Sequence, residues 1–279
     1  MLRNRFLPAV TLLAALFAWA NPATADDSAT ADAPVAEPTE SQQFARQRLL
    51  EMAGYLGDLK KFSVTMNANY DVLQDSGQTI EFGEVREISV KRPDLARIEQ
   101  VASDGKRDLL VFDGKEVSVY SADADVYAQA AQPADLDTAV MYLVEDLQLR
   151  LPLAPLLLTT FRQLLESRVV EADFVETTDL LGPSTDHIAA RTEVMDFQVW
   201  IADGEQPWPL RIVMTYNQME GSPQFRANLS NWNASPKFDK KTFVFEPAAD
   251  ANLIPFAAHF TTNPDAMPAG GDRASGGTQ

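Results

Sequence analysis

From Ser41 onward apolar residues recur every third or fourth position, through Phe44, Met52, Leu56 and Leu59, with Arg48 in the same row and Leu49 and Ala53 widening the stripe. That spacing predicts a helix with one buried face, ending near residues 57–61. At Phe62 the period changes to two: Phe62, Val64, Met66, Ala68, Tyr70 and Val72 alternate with Ser63, Thr65, Asn67, Asn69 and Asp71. A strand with one wet face is expected there. Asp75-Ser76-Gly77 turns the chain into a second strand carrying Ile80, Phe82, Val85, Ile88 and Val90, and the alternation slips near Gly83, where a bulge is expected. Pro93 ends it. Strands over 95–101 and 108–112 follow, and Asp113-Gly114 makes a hairpin into Val117, Val119 and Tyr120.

The middle of the chain differs. Residues 137–149 and 153–165 have helical spacing and are rich in leucine, with Pro152 and Pro155 as breaks. Strand patterns return over 169–177, 187–190, 196–202, 210–217, 224–232 and 242–245, and no repeat of solenoid or propeller length is visible. Helix, strands, two helices, strands is an α+β order. A twisted antiparallel sheet of this size curls, and its apolar concave face needs a cover. The leucine-rich helices are the candidates for it. Whether sheet and helices meet as a tight core or leave a cavity is open at this point.

The ends of the chain set an expected address. Arg3 and Arg5, an apolar run over 6–20 and Ala23-Thr24-Ala25 before Asp26 stand in the order of a cleavable signal peptide, residues 1–25. The run is shorter than the ~20 residues a membrane span needs. The chain contains no cysteine, which excludes lipid attachment at the cleavage point, disulfides, thiolate metal sites and thiol nucleophiles. A soluble, unanchored protein of a diderm periplasm is expected. Residues 26–40 and 261–279 have little to bury and read as a disordered linker and tail, leaving 41–260 as one domain. The net charge is −17, and loss of Arg3 and Arg5 with the leader makes it −19. Such a field repels phosphate, so no nucleic-acid partner is expected, and unassisted adhesion to anionic lipid surfaces is disfavoured.

Residues that commonly carry chemistry are few. His187 and His259 are the two histidines, and neither stands in a zinc-ligand spacing. No nucleophile elbow, phosphate loop or dinucleotide fingerprint occurs. Asp123 and Asp125 read as a solvated turn, since a calcium loop would need further ligands and a central glycine. Among the 40 acidic residues nothing marks a catalytic pair, so no enzyme activity, metal or cofactor is expected. Asn228 and Asn233 match the glycosylation pattern, which has no consequence behind a bacterial leader. Trp200, Trp208 and Trp232 read as core or edge packing of the sheet.

Three segments carry a resemblance. Val90-Lys91-Arg92-Pro93-Asp94-Leu95-Ala96-Arg97, then Phe112-Asp113-Gly114-Lys115-Glu116-Val117-Ser118-Val119-Tyr120, then Lys241-Thr242-Phe243-Val244-Phe245-Glu246-Pro247 resemble segments of the LolA-like periplasmic lipoprotein carriers, in the same order. The chain as a whole resembles an uncharacterised family of predicted periplasmic proteins within the LolA/LolB-like superfamily. The resemblance implies an unclosed, strongly curved antiparallel half-barrel with helices plugging its concave face and an apolar cavity for acyl chains. Arg92 matches a family arginine that bonds the helical lid and holds the empty cavity shut. Read from its neighbours alone, Arg92 is equally a surface residue before a strand-ending proline.

On this reading the cavity wall comes from Val64, Met66, Ala68, Ile80, Phe82, Leu110 and Phe112, and the lid from Leu156, Leu157, Phe161 and Leu164. Each would serve equally well as ordinary core. The expected function is that of a monomeric carrier of an acyl chain, an acylated protein or a similar amphiphile. The alternatives are a non-enzymatic envelope-interaction or stress-sensing module that binds a protein partner without lipid and, less favoured, a hydrolase.

Overall fold

The structure, a computed structural model, describes residues 37–132 and 134–256. The leader, the linker as far as residue 36, His259 and the 261–279 tail lie outside the described residues.

Helix α1 (Glu40–Asp58) starts inside the stretch expected to be disordered. Thr39 accepts from the Gln42 backbone while the Gln42 side chain accepts from the Thr39 backbone, so two otherwise orphaned N–H groups are satisfied at once. Its buried face is Ala45, Leu49, Met52, Ala53 and Leu56. Phe44 falls outside that face, 41% exposed and edge-on to Phe174. Arg48 pairs with Asp186 at 2.8 Å and donates to the Ala202 carbonyl at 3.1 Å, which ties the helix to the sheet.

The sheet has twelve strands: β1 (Lys61–Leu73), β2 (Thr79–Lys91), β3 (Leu95–Ala102), β4 (Arg107–Phe112), β5 (Glu116–Ser121), β6 (Val126–Ala131), β7 (Glu171–Thr178), β8 (Thr185–Arg191), β9 (Asp196–Ala202), β10 (Pro209–Thr215), β11 (Gln224–Asn233) and β12 (Asn252–Leu253). Their spatial order is β12-β6-β5-β4-β3-β2-β1-β11-β10-β9-β8-β7, so the sheet does not close. All neighbours are antiparallel except β12 and β6. Two meanders, β1–β6 and β7–β11, are joined where β1 pairs with β11.

Between the meanders the chain forms α2 (Leu136–Met141), a π-helical turn (Tyr142–Asp146), a 3-10 turn (Ala154–Leu157) and α3 (Phe161–Arg168). These elements and α1 share one apolar core with the sheet face that carries Phe62, Val64, Met66, Ala68, Phe112, Leu229, Ala227 and Ile188.

Several expected elements are corrected. There is no bulge at Gly83, because β1 and β2 keep register from Lys61↔Lys91 to Leu73↔Thr79. The alternation slips there because Glu84 and Arg86 occupy core-facing positions while Val85 faces outward. The 137–149 helix stops at Asp146, and 153–165 is two short pieces, since Leu153 takes a left-handed conformation (φ 58°) and Pro152 and Pro155 flank it. Residues 242–245 form a turn and an irregular run in which Phe245 packs on Tyr120 and Tyr127. Strands β6 and β12 were not expected. Trp208 stacks on Trp232 at 4.7 Å and Trp200 on His187 at 4.0 Å.

The joint between the meanders is clasped on the outer face. Asp71 of β1 takes both Nη atoms of Arg226 of β11, at 2.9 and 3.1 Å, and the Gln224 backbone N–H at 3.0 Å. The bond from Arg226, ahead of that from Gln224, holds the Asp71 carboxyl below the usual carboxylate range. A depressed native value stabilises the fold above the unfolded value of ~4, and that stabilisation is lost as pH falls through the native value. Asp71→Asn is therefore expected to cost about 1–2 kcal/mol in urea unfolding at pH 7. The gap to the parent should narrow steadily below about pH 4.

Candidate functional site

Residues 151–158, Leu-Pro-Leu-Ala-Pro-Leu-Leu-Leu, are all buried, and they lie across the apolar face as a lid. Each leucine withdrawn from water here is worth roughly 1.5–3 kcal/mol. The main chain of this segment makes few bonds of its own, so its ends are held by side chains from elsewhere.

Arg92 is the first tether. Its Nη1 donates to the Leu59 carbonyl at 2.6 Å and its Nη2 to the Leu157 carbonyl at 2.8 Å, joining the chain just past α1 to the lid. The guanidinium also lies 5.5 Å from the centroid of the Phe62 ring. Burial pushes Arg92 below its ordinary pKa, opposed by the nearby charges of Asp137 and Asp58. Asp137 of α2 is the second tether, accepting from the Thr159 backbone at 3.0 Å and the Thr159 hydroxyl at 2.7 Å. Gly57 allows the approach, since a Cβ there would stand 2.7 Å from the Thr159 carbonyl oxygen. At the other end of the lid, the Arg150 guanidinium stacks over Tyr70, 3.5 Å from the ring centroid.

The remaining candidate residues fall into distinct places. Val64, Met66, Leu156 and Leu157 enclose an apolar space of about 10 Å³, so the centre of the expected cavity is filled. Leu156, Phe161 and Leu164 line a second apolar pocket of about 70 Å³, whose other walls include Met52, Phe197 and Met214. Leu110 lines a larger cleft of about 330 Å³ beyond the lid's leading edge. Ala68 and Phe112 are fully buried core. Ile80 and Phe82 stand past the lid, 37% and 40% exposed.

The sequence reading missed Glu84, Arg86, Gln100, Asp108 and Arg150 as lining residues of that cleft. The available signal was parity: Glu84 and Arg86 lie two and four residues beyond Phe82, on the face where an apolar residue is expected.

Among the described residues no group of three or more His, Asp or Glu converges to hold a metal. No described helix is long and apolar enough to cross a membrane.

A chain with this sheet and lid matches, over residues 45–257, the family described as "Predicted periplasmic protein (DUF2092)", and it belongs to that family. Comparison with curated proteins finds no match. Among solved structures it is similar to the Mycobacterium tuberculosis lipoprotein LppX, with 16% identity, a TM-score of 0.44, and coverage of 71% of this chain and 99% of that one. LprF from Mycobacterium bovis gives 12%, 0.43, 72% and 99% in the same terms. A LolA superfamily protein from Nitrosomonas europaea gives 10%, 0.33, 71% and 96%. Likenesses this distant say nothing of a ligand.

Removing the first tether tests how the lid is held. Arg92→Leu should raise hydrogen exchange at the Leu156, Leu158 and Thr159 amides by at least about tenfold, with little change in β1 or β11. Unchanged exchange in the lid would show that Arg92 does not hold it.

Proposed function

We infer that this protein is a periplasmic carrier that takes up an acyl chain or similar amphiphile between a curved half-barrel sheet and its leucine-rich lid. The observation that carries this reading is the lid itself. Eight consecutive buried residues rest on an apolar sheet face, fastened by the polar tethers at Arg92 and Asp137 rather than by regular secondary structure. With one 3-10 turn and no strand pairing of its own, such a segment can lift without breaking a strand ladder. The pocket of about 70 Å³ beneath it is where an entering chain would widen the space, and each methylene buried contributes ~0.8 kcal/mol. In this reading Arg92 is a latch, and Val64, Met66, Leu156, Leu157, Phe161 and Leu164 separate to admit the chain. The family description supports the periplasmic address.

A protein partner is the second reading. Val170, Val175 and Leu180 stand exposed along and beside the edge strand β7, where another chain could pair or pack. Neither reading includes a covalent step.

Native mass spectrometry of the protein purified from an envelope extract should show a bound lipid. A fluorescent apolar probe should bind the delipidated protein, and Arg92→Leu should bind it more tightly. Recovery of no lipid, together with no probe binding to either form, would sink the carrier reading.

A further inference from the structure

Strand register places a row of polar side chains on the face that is otherwise apolar. Arg86 pairs with Gln100, Gln100 with Asp108 and Asp108 with Ser121, across β2 to β5. Arg86 is 3% exposed. Its Nε lies 3.1 Å from Glu84 Oε1 without the alignment of a hydrogen bond, and its Nη2 reaches the Arg150 carbonyl at a long 3.4 Å. Burying a charge is costly unless its donors are matched. Arg86 is incompletely matched.

Arg150 repeats the pattern. Its Nε and Nη2 are buried and have no acceptor among the described residues, while the guanidinium face is taken up by Tyr70. The Tyr216 hydroxyl is likewise buried without a partner, in the electrostatic reach of Arg150. Two guanidiniums with spare donors thus border a cleft of about 330 Å³ whose other walls include the apolar Ile98, Leu110, Val119 and Leu149 and the polar Gln100. Glu84 Oε1 forms an ion pair with Arg86 Nε at 3.1 Å without a hydrogen bond, and Asp108 is the one other carboxylate lining the cleft, so Arg150 holds the guanidinium donors that no carboxylate approaches. Arg86, Ile98 and Leu151 also line the small apolar space under the lid, so cleft and lid interior share walls. A planar guanidinium fork suits carboxylate and phosphate oxygens, which accept several such donors at once.

We propose that this cleft is a headgroup site: Arg150 and Arg86 receive the carboxylate or phosphate of an anionic amphiphile whose acyl chain runs beneath the lid. The proposal rests on the carrier reading above and adds a charge requirement to it. The overall field of the chain is negative and Arg86 is already paired with Glu84, so the site selects for a ligand whose tail supplies the affinity and whose head takes the unmatched donors of Arg150.

The test uses displacement of a fluorescent apolar probe from the full-length mature protein at pH 8. The competitors are palmitate, 1-palmitoyl lysophosphatidic acid and the uncharged 1-monopalmitoylglycerol, each below its micelle threshold. The parent is expected to bind at least one of the two anions about tenfold tighter than the neutral ester, and the stronger anion names the source as fatty acid or phospholipid. Arg150→Gln should lose about tenfold for that anion and nothing for the neutral ester. Arg150→Lys, which keeps the charge but not the fork, should recover part of the loss. Equal affinity of the parent for all three, or an equal loss from all three in Arg150→Gln, would overturn the headgroup site and leave the carrier reading intact. No displacement by any of them, with no probe binding, would remove both.

Discussion

The pairing of β1 with β2 on one side and β11 on the other is the constraint on which the rest depends. It joins two meanders that are each locally connected but otherwise separate, through residues as far apart as Asp71 and Gln224, 153 positions along the chain. Closing so long a loop costs entropy that only an extended run of ladder bonds and packed pairs can offset. Met66 opposite Leu229 and Ala68 opposite Ala227 supply that packing on the inner face, and Asp71 with Arg226 supplies it on the outer. A single broad apolar surface results, wide enough that α1 covers the β7–β8 side and the lid covers the centre.

Two kinds of fastening then coexist on that surface. The helix α1 is bound by a regular apolar stripe and by Arg48 on Asp186, an arrangement that resists displacement. The lid is also apolar, but apart from the 3-10 turn Ala154–Leu157 its main chain is irregular, and its polar fastenings are few and come from distant residues. Area alone does not decide which part moves. The number of cooperative bonds that must break together does, and the lid has fewer.

Much of the sheet was legible because period-two alternation is a direct print of a half-buried strand, as in residues 62–72. The leading helix was legible from its 3–4 spacing, although its start was hidden in polar residues whose capping role depends on Thr39 and Gln42 meeting in space. The short strands β6 and β12 were not legible, since Val126–Ala131 is mostly small residues and Asn252–Leu253 is defined by its neighbour. The lid read as a helix because leucine spacing cannot show that Leu153 turns left-handed. The polar cleft was invisible for a related reason. Charges at 84, 86 and 108 look like ordinary surface until register puts them side by side facing inward, and Arg150 belongs to no periodic element at all.

The two edges of the sheet are treated differently. On one, residues 252–253 pair with Val126 and Tyr127, so the start of the β6 edge is covered. On the other, β7 presents its outer ladder to solvent, and Glu171, Asp173 and Glu176 are exposed along it. An approaching strand from a second copy would bring the same acids against them, so edge-to-edge joining is opposed by like charge. The acidity of the chain thus has a local consequence: like charge along β7 opposes growth of the open sheet by addition of its own kind.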